Sequence, residues 1–196
     1  MTALHGRRIE LWVEARDGEA AVNPTMQALL RELEDLGVST SVRVPEHEVI
    51  DPEALRRDSP PDLVLLKSAT TLALSLAVAD EAYGVKFLNN ARATLRAHDK
   101  AATVARLAAA GLPVPTTFFV DQSMPDASVS IDISGEWVSK PTLGVHGQGV
   151  ALHGSVAAAL AAEAATDDAP GYVVDDGTRL VQRRIGQDHA DVKVYV

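Results

Sequence analysis

Several residue types and patterns are scarce in this sequence, and each scarcity removes a class of function. There is no cysteine among the 196 residues, which excludes disulfide bonds and thiolate chemistry. Lysine and arginine never occur in runs longer than two, and the net charge is −9. Nucleic acid and anionic membrane surfaces are therefore not expected as partners.

Long apolar stretches are also missing. The longest apolar-rich run, Thr70 to Ala79, is too short for a membrane span, which needs about 20 residues. The N-terminus has no apolar signal-peptide core, so we expect a cytoplasmic protein. Since 46% of the residues are hydrophobic, the chain can still bury one large core or two small ones. The Ala-rich, Asp- and Arg-rich composition favours a bacterial source.

Strand and helix patterns alternate over residues 1–90. Asp62 to Lys67 is a continuous apolar run bounded by charges, typical of a buried parallel strand. Asn23 and Pro24 predict the start of a helix that ends at Gly37, and Thr70 to Tyr83 is predicted as a second helix. Further strands are predicted at 8–13, 38–44 and 85–89. This alternation predicts a doubly wound parallel sheet.

The second half of the chain has a different pattern. Ala91 to Ala110 is predicted as one long helix ended by Gly111, and the prolines at 113 and 115 forbid its continuation. Ser155 is a predicted cap for another helix. Strands are predicted at 116–120, 136–140, 149–153, 172–174, 179–183 and 191–196.

A lysine followed by a glycine-rich turn is the most informative motif. Lys140 ends an apolar strand, and Gly144, Gly147 and Gly149 follow. Glycine lets backbone N–H groups approach an anion closely, and a lysine adds a point charge suited to phosphate. The turn is neither a Walker A motif nor a dinucleotide-binding fingerprint. It predicts a hairpin flap over phosphates, with an ordinary hairpin as the alternative.

Six short motifs follow one another between residues 99 and 195. They are Asp99-Lys100, Gly111 to Thr117, Val138 to Pro141, Gly144 to Val150, Leu180 to Ile185 and Asp191 to Tyr195. Each is weak alone, but their order and spacing resemble the ATP-grasp superfamily, and are most similar to the RimK-type carboxylate–amine ligases. The resemblance implies an α/β chain: a pre-ATP-grasp doubly wound parallel sheet (1–90), then the first part of an ATP-grasp domain (91–196). That domain is α+β, with an antiparallel sheet and the glycine-rich flap.

The resemblance also implies a reaction. Such ligases transfer the γ-phosphate of ATP to a carboxylate, and an amine then attacks the acylphosphate and releases phosphate. The implied partners are small-molecule or peptide carboxylates and amines. RimK-type relatives often self-associate, so a homo-oligomer is one expectation.

Site residues follow from the resemblance by position. Lys100 and Lys140 correspond to the lysines that contact the ATP phosphates, although a surface lysine is the alternative for Lys100. The remaining positions are Gly144, Gly147 and Gly149 in the flap over the phosphates; Gln182, Arg183, Arg184 and Ile185 along the adenine; Asp191 near the sugar; and Lys193 near the phosphates or the substrate. No catalytic residue is assigned.

The first half of the chain is implied to form the substrate side. Lys67 and Ser68 follow a buried strand, at the end where open α/β sheets bind ligands. Either side chain could contact a substrate carboxylate. The alternative is that Ser68 or Thr70 only caps the next helix.

Two features depart from the family pattern. Arg183 stands where the family usually has an acidic residue. The Glu-x-Asn pair that would hold Mg²⁺ occurs nowhere in the sequence, although the resemblance implies magnesium beside ATP. Because a strand pattern runs up to Val196, we expect a fragment of a longer ligase. The alternatives are an ATP-grasp kinase of the inositol-phosphate type, disfavoured by the acidic charge, and a truncated, non-catalytic nucleotide-binding module.

Overall fold

A computed structural model describes residues 4–51, 53, 59–121, 133–143, 149–162 and 177–186. The chain is an α/β protein, as predicted. Its described residues form two compact units, one up to His98 and one from Asp99 onward. Helices long and apolar enough to cross a membrane are absent from this described part. The predicted boundary at residue 90 stays a prediction.

The first unit contains a parallel sheet. Its elements are β1 (Arg8–Trp12), β2 (Ala15–Arg16), β3 (Glu19–Ala20), α1 (Pro24–Asp35), β4 (Ser39–Arg43), a 3₁₀ turn (Pro45–His47), β5 (Leu63–Leu66), α2 (Thr71–Ala82), β6 (Phe87–Leu88) and α3 (Ala91–His98). The parallel sheet has the order β4-β1-β5-β6, which confirms the predicted parallel sheet. The short β2–β3 hairpin was not predicted.

Side-chain caps set the starts of both long helices in this unit. The Asn23 side chain accepts a hydrogen bond from the Met26 N–H at 2.9 Å, and Thr70 accepts one from the Ala73 N–H at 3.2 Å. Ser68 is buried at 2% exposure and lies 3.2 Å from the Thr70 hydroxyl. The capping alternative for Thr70 is therefore confirmed, and Lys67 is left as the exposed residue of the pair.

The second unit contains an antiparallel sheet. Its elements are α4 (Lys100–Ala109), β7 (Thr117–Asp121), β8 (Trp137–Pro141), β9 (Ala151–His153), α5 (Val156–Ala161) and β10 (Thr178–Arg183). The order is β7-β10-β8-β9. Helix α5 packs on one face, where Trp137, Val156, Ala159 and Val181 form the core. The strands predicted at 172–174 and 191–196 lie outside the described residues.

The single helix predicted from Ala91 to Ala110 is wrong. The chain forms α3 and α4, which are separated at Asp99. Asp99 has φ −82° and ψ 98°, and its carboxylate accepts a hydrogen bond from the Ala102 N–H at 2.9 Å. The Lys100 N–H donates to the Thr142 carbonyl at 2.9 Å. Helix propensity is outweighed here by a local cap and a long-range hydrogen bond, which fix the start of α4 beside the end of β8.

Candidate functional site

The alternation of β8 determines where Lys140 lies. Trp137, Ser139 and Pro141 are buried, whereas Val138 and Lys140 are only partly buried. Because successive strand residues point to opposite faces, Lys140 lies on the sheet face opposite to α5. Gln182 shares this face, since Val138 pairs with Gln182 and Lys140 pairs with Leu180.

A chain of hydrogen bonds orients the Lys140 ammonium group. It donates to Gln182 Oε1 at 2.7 Å, and Gln182 Nε2 donates to Thr117 Oγ1 at 2.9 Å. The Thr117 hydroxyl donates in turn to the Pro115 carbonyl at 2.7 Å. Each acceptor is thereby matched to a donor. A neutral amide holds the ammonium, so the positive charge of Lys140 is not cancelled by this partner, and an ammonium has donors to spare for a further ligand.

Two positive charges are concentrated in this unit. Burial lowers the pKa of Lys140 below its usual value. The pKa of Lys100 is also lowered, mainly by burial and then by the charge of Lys140, against a smaller opposing effect of Asp99. Both lysines are half-buried and lose pKa through burial, and the charge of Lys140 lowers the pKa of Lys100 further. A bound anion would stabilise the charged form of each.

Threonine hydroxyls tie the neighbouring strand ends together. The Thr142 and Thr178 hydroxyl oxygens lie 2.6 Å apart, and the Thr142 N–H donates to the Thr178 carbonyl at 3.2 Å. A cavity of about 460 Å³ lies here, lined by Asp99, Thr142 and Thr178 among others but by neither lysine. These contacts anchor β8 to β10 and, through the Lys100 N–H, fix the start of α4.

Gly149 is required by the backbone at the end of the predicted flap. Its φ is +66°, and a Cβ there would lie 3.2 Å from Cδ of Pro141. Glycine therefore allows the returning chain to pass close to the residue after Lys140.

The backbone N–H groups at the end of β10 and just after it differ in whether they make hydrogen bonds. The Arg183 N–H donates to the Thr116 carbonyl at 2.8 Å, and the Arg184 N–H donates to the Glu136 carbonyl at 2.9 Å. The Arg184 side chain also pairs with Glu136 at 2.5 Å. Ile185 is 73% exposed, and its N–H has no hydrogen-bond acceptor among the described residues. Of these three N–H groups, that of Ile185 alone makes no hydrogen bond within the described residues.

The expected magnesium ion is not matched by a cluster of ligands in the described part of the chain. Within the ranges described above, there is no group of three or more His, Cys, Asp or Glu side chains that could hold a metal.

Comparisons with known proteins identify the fold. No protein-family model and no curated protein matches the sequence. The RimK domain ATP-grasp protein of Sphaerobacter thermophilus superposes with a TM-score of 0.63 at 20% identity, over 91% of this chain and 64% of that chain. The chain has the ATP-grasp fold. Other ATP-grasp ligases match similarly. For D-alanyl-alanine synthetase A of Vibrio cholerae, the TM-score is 0.67 at 16% identity, over 92% of this chain and 60% of that chain.

A third structure was solved with a nucleotide. The D-alanine–D-alanine ligase of Bacillus anthracis complexed with ATP gives a TM-score of 0.61 at 15% identity, over 92% of this chain and 57% of that chain. The chain thus spans less than two thirds of the length of these three structures. At such identities the likeness shows the ATP-grasp fold alone.

Seven of the eleven predicted site residues are described in this ATP-grasp fold: Lys100, Lys140, Gly149, Gln182, Arg183, Arg184 and Ile185. Lys140 and Gln182 are hydrogen-bonded to each other. The charge of Lys140 contributes to the lowered pKa of Lys100. Four predicted residues lie outside the described part of the chain: Gly144, Gly147, Asp191 and Lys193.

Sequence reasoning missed three threonines, one bonded to Gln182 and two that join the neighbouring strand ends. Thr117, Thr142 and Thr178 were not singled out, and each contributes a hydroxyl hydrogen bond. One signal could have identified Thr117. It is a polar residue at the start of a strand, directly after the proline break, and such a residue can make side-chain hydrogen bonds to a neighbouring strand. The pairing itself depends on strand register, which no short motif specifies.

Proposed function

We propose that this chain is the nucleotide-binding part of an ATP-dependent carboxylate–amine ligase of the RimK-like type. The observation that carries the proposal is Lys140 in an ATP-grasp fold, held by Gln182 rather than by a carboxylate. The backbone of Lys100 is hydrogen-bonded to Thr142, two residues after Lys140. Similar structures include several carbon–nitrogen ligases, and one was solved with ATP.

Each residue has a proposed task. Lys140 and Lys100 bind the phosphates, because two half-buried ammonium groups are stabilised by a polyanion. Gln182 orients Lys140, and the N–H of Ile185 takes an edge of the adenine, beside Arg183 and Arg184. ATP supplies the phosphoryl group that activates the carboxylate. The glycine flap, Asp191 and Lys193 remain proposed contacts.

The substrates and the cellular location of the enzyme are also part of the proposal. Its substrates are a carboxylic acid and an amine, and we place it in the cytoplasm of a bacterium, where ATP is available. Magnesium is expected to accompany the nucleotide, and no residue of this chain is assigned to it.

As the pH rises, the affinity for ATP is expected to fall at a lower pH than it would if both lysines had their usual pKa. The lysine pKa values are lowered in the free protein, and only the protonated forms attract phosphate. Binding is therefore strongest below the lowered pKa values and is lost as the pH rises through them, before the usual value of about 10.4. Calorimetric titrations between about pH 7.5 and 10 measure this.

A matched variant separates the lysines from other alkaline effects. Lys140→Arg keeps its charge over the whole range, so its affinity should fall less steeply with pH than that of the unaltered chain. A flat profile for the unaltered chain would contradict phosphate binding by these lysines.

Ligase activity is tested by phosphate release from ATP in the presence of panels of carboxylic acids and amines. We expect release only when both an acid and an amine are present, because amine attack on the acylphosphate frees the phosphate. The assay is run on this chain and on any longer protein that contains it. Phosphorylated product formed without an amine would replace the ligase proposal with a kinase. Nucleotide binding without turnover, in the longer protein as well as in this chain, would replace it with a binding module.

A further inference from the structure

A cavity of about 450 Å³ lies in the first unit, between α1 and one face of the parallel sheet. Its floor is a row of three leucines on adjacent strands, since Leu11 pairs with Leu65 and Leu65 pairs with Leu88. Met26 and Leu29 of α1 form its wall. Leu29 is 45% exposed and Leu88 is 56% exposed, so the apolar lining is open to solvent.

The sheet leaves this face only partly covered. Helix α2 packs on the other face, where Leu74 and Ala77 contact Trp12 and Val64. Leu11 and Leu65 therefore point to the α1 side. A concave surface of this volume with an apolar lining is typical of a small-molecule site.

The open end of the cavity is polar, and none of the described residues that line it is acidic. It is lined by Asn23 and Thr25 at the start of α1, and by Lys67 and Asn89 just after β5 and β6. The Lys67 ammonium makes no hydrogen bond or ion pair with any residue that the structure describes. The start of α1 adds partial positive charge. This end of the cavity is therefore suited to an anion, at the carboxyl ends of parallel strands where α/β sheets bind ligands.

We propose that this cavity binds a small carboxylic acid with an aliphatic chain. Lys67 pairs with the carboxylate, and the row Leu11, Leu65 and Leu88 contacts the aliphatic chain together with Met26. The choice of a carboxylate as the anion rests on the proposed function, which requires an acid substrate. The aliphatic preference rests on the cavity lining alone.

The test uses 4-methylpentanoate as the probe and backbone amide NMR as the readout. In the absence of nucleotide, we expect saturable shifts of the Thr25, Lys67 and Leu88 amides. Two compounds each lack one recognised feature: 4-methylpentanamide lacks the charge and acetate lacks the chain. Each is expected to bind about tenfold or more weakly, because a charge-assisted hydrogen bond or several buried methylene groups are lost. No saturable binding of 4-methylpentanoate to the folded chain would overturn the proposal.

Three variants assign the contacts. Lys67→Gln should weaken 4-methylpentanoate about tenfold and leave 4-methylpentanamide unchanged, whereas Leu88→Ser should weaken both. Lys86→Gln is the matched control, since Lys86 is an exposed lysine that does not line this cavity. Equal loss of acid binding in Lys67→Gln and Lys86→Gln would overturn the role of Lys67.

Nucleotide binding is measured separately, so the two proposals can fail independently. ATP binding that depends on Lys140, without any binding of 4-methylpentanoate, overturns this inference only. Binding of the acid that depends on Lys67, without ATP binding, leaves this cavity as a site and overturns the proposed function.

Discussion

Lys140→Ala is expected to remove most of the stabilisation that ATP gives to the folded chain. ATP at about a hundred times its Kd should stabilise the unaltered protein by roughly 2.7 kcal/mol. The variant loses an ammonium group that is half-buried and oriented by Gln182 at 2.7 Å. It also loses one of the two charges that converge in the second unit. At the same ATP concentration, its stabilisation should therefore be small.

The two tryptophans allow this effect to be assigned to one unit. The chain has a tryptophan in each unit, Trp12 and Trp137. In a Trp12→Phe background, the fluorescence of Trp137 follows unfolding of the second unit, with and without ATP. The difference in the unfolding midpoint between these two conditions is the measured quantity.

Controls distinguish a lost contact from a damaged fold. Lys86→Ala removes an exposed lysine of the first unit and should keep the full ATP effect. Gln182→Leu keeps the charge of Lys140 but removes the group that orients it, so an intermediate effect is expected. If Lys140→Ala retains the same ATP-induced shift as the unaltered chain, the proposed phosphate site is wrong.

Local signals were sufficient for much of the fold. Asn23 and Thr70 were recognisable as caps because capping is decided within one turn of a helix. The apolar run at β5 is a burial pattern that is visible along a single strand. The position of Lys140 on a strand before a glycine turn was likewise a local feature.

The same reasoning could not predict hydrogen bonds between residues that are far apart in the sequence. Gln182 lies 42 residues from Lys140 and 65 from Thr117, so their contacts depend on the register of three strands. The break at Asp99 has the same origin. An alanine-rich sequence favours one continuous helix, but the hydrogen bond from Lys100 to Thr142 joins the new helix start to a distant strand.

Arg43→Met is expected to destabilise the first unit by at least about 3 kcal/mol, because it removes a cation next to a buried acid. Asp80 is fully buried, and Arg43 Nη1 lies 4.0 Å from its Oδ2. Arg43 also makes hydrogen bonds of 2.7–3.0 Å to Glu48 and lies 4.6 Å over the Trp12 ring. Burial acts to lower the pKa of Arg43, but the charges of Glu48, Glu10 and Asp80 outweigh it and raise the pKa.

A second substitution tests whether the loss comes from the charge. Methionine keeps much of the length and apolar surface of the arginine side chain, so the packing on Trp12 is largely preserved. If the buried charge of Asp80 causes the destabilisation, the pair Arg43→Met with Asp80→Asn should be more stable than Arg43→Met alone. Urea unfolding followed by Trp12 fluorescence in a Trp137→Phe background measures the free energy of unfolding. Purely additive losses in this double-mutant cycle would show that Arg43 acts through Glu48 and Trp12 instead, since the Asp80 interaction would then have no coupling energy to lose.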